Sequence, residues 1–255
     1  MGNYSKISNS SKSLKDNKLK YRTKIKLINT MKKLFLSLLL MCMIGVCRAE
    51  RELFPINWDK IENIAKTQSD RVRALAIRLS ADTLDRSLTW EERRLAVYGM
   101  GILNPQLNLK KAAFDGNEYY REGKYEEALE CAKSLLRENP LNTKALSLAE
   151  RSILQMVKAG NKKYTKSNAE IYYLRAQRVY NTIATTGNGS KDYPFYVTEV
   201  PDEYNFMRYY LEIREFTGQK LVGTCDVITL GETSQYYNAE TVWFDVTWSL
   251  KSFNF

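Results

Sequence analysis

From residue 57 to residue 183 the apolar side chains recur at intervals of three and four, the spacing of helices with one buried face. Trp58, Ile61, Ile64 and Ala65 share one such face, and Val72, Leu75, Ala76 and Leu79 share the next. Thr89-Trp90-Glu91-Glu92 predicts a capping box: the Thr89 hydroxyl accepts from the Glu92 amide, and the Glu92 carboxylate reaches back. The helix it opens carries Leu95, Val97, Tyr98 and Ile102. It stops at Asn104-Pro105, because a residue before proline is pushed out of the α region. Further helices are predicted over 109–121 and 125–137, with Gly123 allowing the turn between them, and over 144–158 and 168–183. Beyond Thr186-Gly187-Asn188-Gly189-Ser190, read as a linker, the period changes. β-Branched and aromatic runs predict strands at 195–200, 221–222, 225–230 and 241–248, with a short helix opened by Pro201-Asp202-Glu203. Helices first and strands last give an α+β fold: antiparallel helical hairpins, then a small β-rich unit.

The hairpin at 109–137 resembles a tetratricopeptide repeat. Gly116, Tyr119, Ala128 and Pro140 occupy that repeat's signature positions, so Gly116 and Ala128 would let the two helices approach while Tyr119 fills the groove between them. Ala112, Asp115 and Ala132 stand where the repeat carries Trp, Leu and an aromatic residue. Imperfect helical neighbours on either side can cap the single clear repeat. The resemblance implies that the inner face of the first helix meets a ligand, and it places Lys110, Asn117, Tyr120 and Arg121 on that face. Ala113 stands where carboxylate-clamping repeats carry lysine, which argues against that mode of binding.

Charge changes the picture only at the N-terminus. The chain carries 39 basic and 29 acidic residues, for a net charge of +10. Residues 50–255 nevertheless hold 28 of each, so the excess lies wholly in the first 49 residues. There, Lys32 and Lys33 precede an apolar run from Leu34 to Val46 and then Cys47-Arg48-Ala49, the pattern of a signal peptide. A permanent membrane span needs roughly 20 apolar residues, and this run is shorter. The expected organisation is an extension ahead of the true start at 1–30 and a signal peptide at 31–49. N-terminal helices follow at 50–105, the tetratricopeptide-like helices at 106–185 and the α+β unit at 186–255. Val46 before Cys47 and Met41 before Cys42 fit a lipid-modified cysteine poorly, so a periplasmic or secreted protein without lipid is expected. A balanced mature chain offers no general attraction to phosphate, and nucleic acid is not an expected partner.

Histidine is absent from the chain, which excludes Ser-His-Asp and Cys-His catalysis and histidine-ligated zinc. Two cysteines, Cys131 and Cys225, follow the expected cleavage point, and their spacing leaves their pairing open. The glycine-rich turn at 186–190 lacks the Gly-Lys-Ser/Thr order of a phosphate loop. No cofactor or metal is expected. Asp202, Glu203 and Asp226 could serve a carboxylate-dependent hydrolase, but the first two equally suit a helix N-terminus.

Several short motifs resemble an uncharacterised family of small exported bacterial proteins, domain of unknown function 4919. They are Asp82-Thr83-Leu84, Leu88 to Glu92, Asn139-Pro140-Leu141-Asn142, Pro201-Asp202-Glu203-Tyr204, Gly223-Thr224-Cys225-Asp226 and Trp243-Phe244-Asp245-Val246. The family implies no activity or catalytic residue. The expected function is therefore a non-catalytic module binding a protein or peptide segment in the cell envelope. The alternatives are the hydrolase and a carrier of an apolar ligand, the latter suggested by 17 tyrosines and four tryptophans.

Overall fold

Helix boundaries fall where the capping and stop residues stand. The computed structural model describes residues 52–253, so the expected signal peptide and the extension before it lie outside the described residues. α1 (Trp58–Thr67) opens at Asn57, whose side chain accepts from the Lys60 amide at 2.9 Å. α2 (Ser69–Leu79) buries Val72, Leu75, Ala76 and Leu79, the face read from the sequence. α3 (Trp90–Leu103) has the capping box: Thr89 Oγ1 accepts from the Glu92 amide at 3.2 Å, and Glu92 Oε2 accepts from the Thr89 amide at 2.8 Å. Every residue from Leu95 to Ile102 is buried, so this helix runs through the core rather than along its surface.

A 3-10 turn (Leu107–Leu109) leads into α4 (Lys111–Arg121), two residues later than the pattern predicted. Gly123, at φ 78°, turns the chain into α5 (Tyr125–Glu138). α6 (Thr143–Lys158) starts from Asn142, which accepts from the Ala145 amide at 2.8 Å, and α7 (Lys166–Ile183) from a Thr165–Asn168 capping box. Each of these four helices packs on the next, and α4 also touches α6. A Cβ on Gly116 would lie 2.8 Å from Leu148 Cδ2 and 2.9 Å from Cys131 Cβ. Glycine thus admits α4 against α5 and α6 at once. Ala128 is fully buried one turn from that contact, with its carbonyl oxygen 3.7 Å away. A satellite core of Ala128, Leu129, Ala132, Leu148, Ala149, Ile153, Met156 and Ala169 fills the hairpins.

The C-terminal strands form a four-stranded sheet in the order β1-β4-β3-β2, comprising β1 (Phe195–Tyr196), β2 (Phe216–Val222), β3 (Cys225–Leu230) and β4 (Thr241–Asp245). β1 pairs with β4 in parallel, and the other pairs are antiparallel. Two predicted strands are shorter than read. Val200 already belongs to α8 (Val200–Tyr209), with Pro201 in its first turn, and Thr247 opens α9 (Thr247–Phe253). Proline preset for a helix start, and Asp245 accepting from the Thr247 amide at 3.1 Å, override the β-branched composition. Ile228, Val242 and Phe244 press the sheet onto the main core, which α1–α3 and α7 share.

Trp58 locks the two ends of the described chain together. Its ring lies 5.7 Å from Tyr98 and 6.0 Å from Trp248, and its indole donates to Asp245 Oδ1 at 3.2 Å. The stretch read as a linker is packed: Thr186 and Gly187 are buried, and Gly187 lies against the backbone of Pro194. Cys131 and Cys225 are free thiols on separate elements. Among the described residues, no helix is long and apolar enough to cross a membrane.

Candidate functional site

The starts of α4, α6 and α8 converge with α9 around a hollow of about 150 Å³. Its floor is polar. Asn108, buried in the 3-10 turn, donates from Nδ2 to the Glu199 carboxylate and accepts at Oδ1 from Asn142 Nδ2 at 3.3 Å. Asn142 is the residue that caps α6, so one side chain both starts a helix and fixes the floor. Lys144 Nζ reaches the Asn108 carbonyl at 3.4 Å and lies 5.7 Å from the centre of the Phe114 ring. Gln106 forms part of the wall with a left-handed φ of 58°, and its side-chain Nε2 donates to the Ser252 carbonyl at 2.7 Å. The rim is apolar: Leu109, Phe114 and Val200 are 50%, 56% and 39% exposed. Three large apolar side chains from two segments therefore face solvent around one polar-floored hollow.

Burial pushes the Glu199 carboxyl up to about 7, and the neighbouring Asp202 charge adds to the rise against the hydrogen bond from Asn108 and the attraction of Lys144. Burial likewise lowers Lys144, with Glu199 pulling the other way. Asp202, one turn into α8, accepts from Thr143 Oγ1 at 2.7 Å and Thr198 Oγ1 at 3.2 Å. Burial still raises it despite those bonds. Glu199 thus exchanges its proton near physiological pH. A carboxyl of this kind can sit beneath an apolar group at little cost once protonated. Pockets for drug-sized ligands run to about 300–1,000 Å³, so a hollow this small suits a single bulky side chain.

The other carboxyls weighed from the sequence are buried elsewhere. Glu203 has no exposed surface, and neither of its carboxyl oxygens receives a hydrogen bond from a described N–H or O–H. Packing of α8 on β3 sets it beside Asp226, to which a protonated Glu203 donates. Burial first, then the charges of Asp226 and Asp202, push Glu203 up to about 9. Asp202, Glu203 and Asp226 do not line the hollow. Among the described residues, no group of three or more Cys, Asp or Glu is placed to hold a metal ion.

A family model described as a domain of unknown function, DUF4919, matches residues 97–254, more than half of the chain. The chain belongs to the DUF4919 family. No curated protein and no solved structure matches it. The hollow lies wholly within the DUF4919-matched residues. Four of the six short motifs that carried the resemblance also meet there or beside it. The Asn139–Asn142 motif reaches Glu199 through Asn108, and Thr143 ties it to Asp202 of the Pro201–Tyr204 motif. Cys225 pairs with Asp245 across β3 and β4, joining the Gly223–Asp226 and Trp243–Val246 motifs, whereas the Asp82–Leu84 and Leu88–Glu92 motifs lie outside the matched residues.

The four groove residues that the tetratricopeptide-like resemblance implied lie along α4 and at its start. Lys110 caps α4 and pairs with Glu138. Asn117 donates to the Ala113 carbonyl at 2.7 Å, and Arg121 is exposed at the end of the helix. Tyr120 turns to α6, with the Arg151 guanidinium 4.7 Å from its ring centre and Gln155 donating to its hydroxyl at 3.4 Å. Lys110, Asn117 and Arg121 share a helical stripe with Phe114, at spacings of four, three and four. Sequence reasoning missed Asn108, Phe114, Lys144, Glu199 and Val200. The one available signal was Leu109 and Phe114, apolar residues lying off the buried Ala113–Gly116 face.

Proposed function

We propose that this DUF4919 protein is a non-catalytic module that binds a peptide or protein segment, seating one bulky apolar side chain in the hollow. The observation that supports the reading is the exposed Leu109, Phe114 and Val200 rim around a mostly apolar hollow of one-residue size. The segment would continue along α4 over Phe114, Asn117 and Arg121, with Lys110 at its start, while Tyr120 braces the helix from behind. Peptides selected from a random library should converge on one large apolar anchor. They should bind the Phe114→Glu variant about tenfold more weakly or worse. Affinity should be higher at pH 6 than at pH 8, since Glu199 is neutral below about 7. Equal binding by wild type and the folded variant would reject this site.

We further propose that the protein is exported, with the segment through Ala49 removed. Support comes from the Lys32-Lys33 pair, the apolar run behind it and the confinement of excess charge to the first 49 residues. N-terminal sequencing of the exported protein should start at or near Glu50. A mature species retaining Lys32 and Lys33 would exclude cleavage there.

A further inference from the structure

A second hollow, of about 540 Å³, lies outside the family-matched residues, between the segment before α1 and the helices α1 and α3. Phe54, Pro55, Ile61, Ile64 and Leu95 make most of its wall apolar, and Arg94 lies among them. The Arg94 guanidinium is 4.3 Å from the centre of the Phe54 ring. Its Nη1 is buried and has no hydrogen-bond acceptor among the described residues. The carboxylates of the same wall are committed elsewhere. Glu91 accepts from Lys60 at 3.0 Å, and Glu92 holds the Thr89 capping box. Arg71, also in the wall, donates to the neutral Gln68 side chain at 3.0 Å. Burial lowers the Arg94 pKa, only partly offset by Tyr98, Glu91 and Glu52.

Arg94 is half-buried, and a guanidinium edge left without an acceptor beside an apolar wall favours an anion there. Its planar fork matches a carboxylate through two parallel hydrogen bonds. The volume falls within the small-molecule range and is several times that of the Glu199 hollow. The wall is also held in place, since the Phe54 amide donates to the Thr185 carbonyl at 2.9 Å and Trp58 is locked behind it. We infer that this hollow binds a monoanionic amphiphile, its carboxylate paired with Arg94 and its apolar body against Phe54, Ile61, Ile64 and Leu95.

Calorimetric titration of the full chain with decanoate and with decanol tests the assignment. Decanoate should bind about tenfold tighter than decanol, because a charge-assisted pair is worth at least that factor. Arg94→Met keeps an apolar stem against Phe54, and should remove that advantage while leaving decanol affinity within about twofold. Phe114→Ser, in the other hollow, should leave decanoate binding unchanged. Three results would overturn the inference: no decanoate binding by wild type, equal binding of the two probes, or loss of decanoate in Phe114→Ser. Unchanged decanoate affinity in a folded Arg94→Met would do so as well. Should Arg94→Met not fold, the two wild-type titrations and the Phe114→Ser control still decide the matter.

Discussion

Replacing Glu203 with glutamine should stabilise the protein at neutral pH and flatten its stability profile between about pH 4.5 and about pH 9. Glu203 has no exposed surface and lies beside Asp226 from β3 and Asp202 from its own helix, both acidic. Its pKa is raised from 4.5 to about 9 by burial and those charges. A raised carboxyl favours the fold while protonated, so its stability is fully present below about 4.5. That stability is lost as pH rises through about 9. Across this window the unfolded chain releases a proton that the folded chain keeps. The loss can reach about 1.4 kcal/mol per pH unit, or roughly 3 kcal/mol by pH 7. Glutamine keeps the shape and can donate to Asp226 as the protonated acid does, but it has no proton to lose. Glu150, Glu199 and Asp202 are also raised and act in the same direction, so the difference between variant and wild type isolates Glu203. Urea unfolding at pH 5, 7 and 9 reads it directly. Parallel profiles for the two proteins would show that Glu203 is not the buried acid responsible.

Alanine at position 187 should destabilise the protein by about 3 kcal/mol. A Cβ there would lie 2.0 Å from the Pro194 carbonyl oxygen and 2.5 Å from the Tyr193 carbonyl oxygen. Both obstacles are backbone, so no rotamer change relieves them. The loop cannot drift away either. The Asn188 and Gly189 amides donate to the Tyr193 carbonyl at 2.9 and 3.0 Å, and the Trp243 amide donates to the Gly189 carbonyl at 3.0 Å. Tyr237 adds a hydroxyl bond to that same Gly189 carbonyl at 2.9 Å. Gly218→Ala is the matched control, because a Cβ there meets only Thr229 at 3.8 Å and strand alanine costs less chain entropy than glycine. It should be neutral or slightly stabilising. Thermal and urea midpoints of the two variants should therefore diverge, and coincident midpoints would mean that the 187–194 turn yields freely.

The same turn shows where local reading runs out. Thr186-Gly187-Asn188-Gly189-Ser190 has the composition of an open linker, and composition cannot report that Pro194 folds back onto Gly187. Helix starts and stops were legible because their causes are local. A threonine and a glutamate three residues apart satisfy orphan amides whatever surrounds them. Strand ends were less legible, since β-branched residues at 197–200 and 246–248 favour extension only weakly against a proline-led turn or a neighbouring core. Tyr120 illustrates the same limit on a helix. Its position along α4 was readable, but the direction that matters depends on Arg151 and Gln155, some 30 residues later.

What the sequence determined by itself is the α+β order of elements, the Thr89 capping box, the Gly116 contact and the neutrality of residues 50–255. Each follows from spacing, residue size or charge within a short window. The tertiary structure alone decided that Asn108, Asn142, Lys144 and Glu199 share one polar floor and that Glu203 faces Asp226 without a donor. It also decided that Arg94 lies against Phe54 with its buried Nη1 lacking an acceptor among the described residues. The physical reason is burial: a side chain's desolvation, and the partner that does or does not relieve it, depend on atoms brought together by packing from distant parts of the chain.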